Sequence, residues 1–201
     1  MKRRLAGLFC IVCRVNWYQN PIFANSNKWN NCSYMKARVS IIMGSTSDLP
    51  VMEAAAKFFD QMEIPFEINA LSAHRTPKEV EEFATTAAQR GIEVIIAGAG
   101  MAAHLPGVIA AMTPLPVIGV PIKSSLEGLD AALAMLQMPP GIPVATVAIN
   151  GALNAAILAM QIMATGDEDL KKKMSEYKEG LKQKIVKANK ELAEVKYKYK
   201  V

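Results

Sequence analysis

Past residue 32 the 201-residue sequence has no cysteine, so neither disulfides nor thiolate ligands support the greater part of the chain. That usage suits a reducing cytoplasm, where the protein is expected. Cys10 and Cys13 have the spacing of a redox or metal pair, yet no second pair or nearby histidine completes a zinc site, and no metal is expected. Long apolar runs are missing too: a membrane helix needs about 20 apolar residues, and Leu5–Cys13 is far shorter. Behind Lys2-Arg3-Arg4 that run resembles the start of a secretory signal, but Arg14 interrupts it and no small-residue cleavage site follows. Residues 1–34 hold no Asp or Glu. The formal charge of +5 comes from Lys2, Arg3, Arg4, Arg14 and Lys28, and the rest of the chain has eighteen side chains of each sign. Nucleic-acid binding thereby loses its electrostatic support.

The same segment carries both tryptophans and every cysteine, and it lacks sustained periodicity. Residues 1–34 read as an N-terminal extension, disordered or upstream of the natural start at Met35-Lys36-Ala37-Arg38. The expected division is a catalytic domain over 35–166 and an amphipathic helix over 167–201. Half of the residues are hydrophobic, enough for one well-buried domain.

From Met35 the periodicity predicts strands at Val39–Met43, Pro65–Ala70, Val94–Ala97, Pro116–Val120 and Val144–Ile149. Between and after them it predicts helices at Leu49–Met62, Lys78–Arg90, Leu126–Leu136, from about 150 to Thr165, and from Asp167 onward. Strands and helices in alternation specify a parallel sheet wound on both faces. The helix ending at Thr165 is almost wholly Ala, Ile, Leu and Met, as for burial between subunits, and the stripe Leu170, Met174, Tyr177, Leu181, Ile185 is expected to pack on a neighbouring subunit. The lysines of the last helix are interleaved with carboxylates and read as a solvated face.

Chemistry concentrates where strands give way to helices, as in open α/β sheets. Ser72-Ala73-His74-Arg75-Thr76-Pro77 joins an imidazole, which serves proton transfer near neutrality, to a guanidinium and hydroxyls suited to phosphate. The same stretch also fits a plain helix start, Thr76 capping and Pro77 at the first position. Gly44-Ser45-Thr46-Ser47-Asp48 offers backbone amides to an anion and a carboxylate to ribose hydroxyls; Ser47 or Asp48 would equally serve as a helix cap. The run Gly98-Ala99-Gly100-Met101-Ala102-Ala103-His104-Leu105-Pro106-Gly107 lets a flat heterocycle approach the backbone. Its glycine spacing does not fit the dinucleotide fingerprint. His104 reads either as a packing histidine or as a support bordering the same pocket as His74.

With these motifs in order, and with Gln137-Met138-Pro139 and Gly141-Ile142-Pro143 behind them, residues 39–173 resemble the class I 5-(carboxyamino)imidazole ribonucleotide mutases of purine biosynthesis. The resemblance implies a flavodoxin-like three-layer αβα sandwich with a five-stranded parallel sheet and a long C-terminal helix. It implies a homo-octamer and no metal or organic cofactor; with the charge and the short apolar run above, no nucleic-acid or membrane partner is expected. The substrate would be a phosphoribosyl-aminoimidazole whose carboxylate moves from the exocyclic nitrogen to ring carbon 4, in the route to IMP. His74 would be catalytic, and Ser45, Ser47, Asp48, Ser72, Arg75, Gly98, Ala99, Gly100, His104 and Leu105 would bind substrate. Two features depart from the family pattern: Met101 stands where a second small residue is common, and the Asn150–Asn154 loop is short.

Two other functions fit the sequence. Class II relatives carboxylate aminoimidazole ribonucleotide with free carbon dioxide, and they replace the Arg-Thr pair after the histidine by Lys-Gly; Arg75-Thr76 favours the mutase. A non-enzymatic nucleotide-binding assembly module would use the same loops for a ligand and the apolar helices for association.

Overall fold

Ser40 apart, the residues of Val39–Met43 are apolar, and a run of this kind is stable as a strand only when helices cover both faces. A computed structural model describes residues 36–200 and places this strand, β1, near the middle of a five-stranded sheet. The expectations for residues 1–34 lie outside the described residues. Its neighbours are β2 (Phe66–Ala70) and β3 (Val94–Gly100), followed outward by β4 (Val117–Ile122) and β5 (Ala145–Thr146). Every pairing is parallel and the order is β2-β1-β3-β4-β5. The order reverses direction between β1 and β3, which opens a crevice at the carboxyl ends of those two strands.

Alternation along the strands divides the core in two. Ile41, Ile96, Ile118 and Val120 face α1 (Leu49–Met62) and α5 (Ala152–Met163). Ile42, Ile95 and Ala97 face α2 (Pro77–Arg90), α3 (Leu105–Ala110) and α4 (Leu129–Leu136). The result is the three-layer α/β sandwich of the flavodoxin-like type, followed by the long helix α6 (Glu168–Glu194).

Several boundaries and one element differ from the sequence reading. β3 continues three residues beyond Ala97, because Gly98, Ala99 and Gly100 pair with Val120, Pro121 and Ile122. The segment after it, read as loop, holds α3, a short helix that buries Leu105 and Ile109 one turn apart, with a proline in its first turn. α4 starts at Leu129 rather than Leu126, since Leu126, Glu127 and Gly128 all have positive φ, which no α-helix accommodates. β5 is two residues long, although the amide of Val147 still donates to the carbonyl of Gly119 (3.0 Å).

The apolar helix α5 packs one face within its own chain and leaves Leu153 exposed. Ala152, Ala155, Ala156, Ala159, Met160 and Met163 are buried against the sheet, α1 and α6. The first turns of α6 likewise pack on their own subunit: Leu170 and Met174 are buried, and Tyr177 meets Phe58 edge-on at 5.4 Å. Asp167 caps α6 by accepting from the amides of Asp169 and Leu170, and also accepts from Arg38 Nη1 at 2.8 Å, joining the helix start to the foot of β1. From Leu181 onward the stripe is exposed.

Candidate active site

Parallel strands deliver their following loops to one edge of the sheet, so the segments after β1, β2 and β3 meet at the crevice. Side-chain bonds tie them together. Arg75, after β2, donates through Nη2 to the Gly44 carbonyl after β1 at 3.0 Å and through Nε to Ser72 Oγ at 3.4 Å. His74 Nε2 lies 2.8 Å from Nδ1 of His104, after β3, with the rings edge to face. Both imidazoles are exposed. The short separation requires one nitrogen to carry the proton and the other to accept it, so a doubly protonated pair cannot keep this bond.

The local sequence explains why these groups face outward. Thr76 precedes Pro77 but does not cap α2: its hydroxyl accepts from the Ser72 amide (2.9 Å) and donates to the Ser72 carbonyl (3.1 Å). The loop is closed from inside by Thr76, which leaves His74 and Arg75 on its outer side. After β1, Thr46–Asp48 forms one turn of 3₁₀ helix capped by Ser45 Oγ, which accepts from the Ser47 amide at 3.3 Å. Asp48 stands before α1 without capping it. Burial holds its carboxyl above the ordinary carboxylate range, with the Ser45 amide, the Ser47 hydroxyl and the Arg75 charge pulling the other way. A partly desolvated carboxylate of this kind gains from further O–H donors, such as the hydroxyls of a sugar.

Packing inside the chain also constrains the glycine and alanine run. Gly98 and Ala99 are strand residues inside the core, and a Cβ on Gly98 would fall 2.5 Å from Sδ of buried Met52. At Gly100 it would approach the Ile122 carbonyl oxygen and the Ser124 side chain, both at 3.2 Å. Packing thus requires small residues at 98 and 100, and Gly100, at the end of the strand, stays partly exposed. Leu105 is also a core residue, with its side chain among α3 and sheet contacts. Of the residues expected at the site, Ser45, Ser47, Asp48, Ser72, His74, Arg75 and His104 come together on three loops, while Gly98, Ala99 and Leu105 lie beneath them.

The loops after β4 and β5 reach the same edge of the sheet. The Lys123 amide donates to Asn150 Oδ1 at 2.9 Å, and Ser124 sits beside Gly100. Sequence spacing gave no signal for these contacts, because they depend on strand order. Among the described residues no three His, Cys, Asp or Glu side chains converge as metal ligands would, and no helix is long and apolar enough to cross a membrane.

The chain is similar to proteins of known family. The family model described as AIR carboxylase matches residues 38–184. A Pyrococcus abyssi N5-carboxyaminoimidazole ribonucleotide mutase is 60% identical over 146 residues, 72% of this chain and 84% of that protein. A Candida glabrata phosphoribosylaminoimidazole carboxylase is 57% identical over 143 residues, 71% of this chain but 25% of that longer protein. The crystal structure of Treponema denticola PurE superposes with a TM-score of 0.71 at 31% identity, covering 77% of this chain and 97% of that one.

Proposed function

The chain belongs to the AIR carboxylase family, and from that membership we propose that it is an N5-carboxyaminoimidazole ribonucleotide mutase, an isomerase of purine biosynthesis. The observation that carries the reading is the convergence of His74, Arg75, Asp48 and the Ser45–Ser47 turn on one sheet edge, in a chain 60% identical to a protein of that name. Arg75 holds the substrate phosphate together with Ser45 and Ser72, using the part of its fork not engaged by Gly44 and Ser72. Asp48 takes the ribose hydroxyls. The carboxylate leaves the exocyclic nitrogen as carbon dioxide, the C–N electron pair stays on nitrogen, and His74 protonates it. Carbon 4 then attacks the trapped carbon dioxide and loses its proton to the same imidazole, which ends the cycle as it began. His104, bonded to His74, fixes the ring and its tautomer between the two transfers.

A homo-octamer in the cytoplasm completes the proposal. Its support is an apolar row on one face of α4, where Leu129, Leu133 and Leu136 are more than half exposed and Leu126 precedes them at 73%. Such a row on the free chain marks an association surface. The exposed stripe of α6 beyond Leu181 adds a second one.

The similarity to the Candida glabrata carboxylase favours a second reading, direct carboxylation of aminoimidazole ribonucleotide. Purified protein given the carboxyamino substrate should form the carbon-4 carboxylate without bicarbonate. Product from aminoimidazole ribonucleotide and bicarbonate alone, with no turnover of the carboxyamino compound, would replace the mutase by the carboxylase.

A further inference from the structure

Between β3 and α3 the chain makes a tight turn, Gly100 to Ala103, closed by the Ala103 amide on the Gly100 carbonyl at 3.1 Å. Both anchors are fixed: Gly100 ends the sheet ladder, and Ala103 is 4% exposed in the core. The tip carries Met101, which has φ of 55° and is 62% exposed; Ala103 follows at φ of 42°. Left-handed backbone disfavours side chains and accepts glycine freely, so folding alone would place glycine at 101. Water also disfavours an exposed methionine. A residue that costs the fold on both counts belongs to function if it stands where function needs it, and this turn leads directly into His104 and its 2.8 Å contact with His74.

The groups gathered on the three loops are Ser45, Ser47, Asp48, Ser72, Arg75 and two imidazoles, every one polar. They provide for a phosphate, a ribose and a proton, and none of them offers a large apolar side chain to a flat heterocycle. Of the exposed large apolar side chains, Met101 is the one carried on the same turn as His104. Its thioether is long, flexible and polarizable, suited to the face or edge of an aromatic ring. Resting on the mutase reading, we infer that Met101 is a substrate-binding residue that packs on the aminoimidazole ring beside the imidazole pair. There it holds the ring against the imidazole pair in substrate and transition state alike.

The test compares wild type, Met101→Gly and Met101→Leu by thermal melting, light scattering and steady-state kinetics with the carboxyamino substrate. Met101→Gly relieves the left-handed strain, so its melting midpoint should equal or exceed that of wild type and its assembly size should not change. Its KM should rise about tenfold or more, the effect of losing a buried methionine contact, while kcat changes by less than about threefold. Met101→Leu should recover most of the loss in KM. A Met101→Gly enzyme with KM within about twofold of wild type overturns the inference. So does a lower midpoint or a smaller assembly, which would make Met101 a packing or interface residue. Absence of turnover in wild type refutes the mutase reading itself and removes this inference with it.

Discussion

Replacing His74 and Arg75 one at a time should separate proton transfer from phosphate binding. Asparagine at 74 keeps an amide N–H to face Nδ1 of His104, now bonded at 2.8 Å, and leaves the Arg75 contacts to Gly44 and Ser72 in place. What is lost is the group that gives and takes the proton. General acid and base groups contribute about 100- to 10,000-fold in rate, or roughly 2.7 to 5.4 kcal/mol of barrier. Turnover by His74→Asn should fall in that range with KM little changed. Arg75→Ala removes a charge-assisted contact present in substrate and transition state alike, worth about 1.5 to 3 kcal/mol, so KM should rise roughly 10- to 150-fold while kcat moves less. It also severs the tie to the Gly44 carbonyl, but this bond is exposed and melting should shift only slightly. Steady-state kinetics, with product binding measured by calorimetry, reads both effects. Near-normal turnover in His74→Asn, or loss of product binding in a folded His74→Asn protein, would refute the assignment and make His104 the next candidate.

Light scattering of the purified chain at micromolar concentration should give eight subunits, and Leu133→Glu on the exposed row of α4 should reduce that number; a stable, active monomer would end the octamer proposal. Gly128→Ala should lower the urea midpoint by the equivalent of about 2 to 4 kcal/mol, since φ is 87° and the new Cβ would lie 2.8 Å from Ile149 and 3.2 Å from the Lys123 backbone. A change below about 0.5 kcal/mol would show that the strain was misjudged. The Leu170 amide, and then Arg38, hold the Asp167 carboxyl below its usual value. Its contribution to stability is therefore present above the unfolded pKa, about 3.9, and is lost as pH falls through the lower folded value. The melting difference between wild type and Asp167→Ala should shrink as pH is lowered below about 4; a difference independent of pH would be evidence against the Arg38 and helix-cap contacts.

Elements whose pattern is local were legible in the order of residues alone. β1 and α1 fall at the predicted residues, because a short, mostly apolar run and a 3.6-residue period each depend only on neighbours in the chain. That order also determined the candidate chemistry: the two histidines and the polar segments after β1 and β2 stand at strand ends, and alternating strands and helices send those ends to one edge. Strand order was decided by tertiary structure, and with it every contact between loops. Arg75 to Gly44, His74 to His104 and Asn150 to Lys123 join residues 31, 30 and 27 positions apart, separations that no local period reports. Tertiary packing also gave two compositional signals a role inside the chain. Glycine at 98 leaves room for Met52, and one face of the apolar α5 is covered by the sheet, α1 and α6 of its own chain. Small or apolar composition says that something must come close. Only the packed fold specifies whether a neighbouring helix, a second subunit or a substrate does so, because burial is a property of the assembled layers and not of the segment.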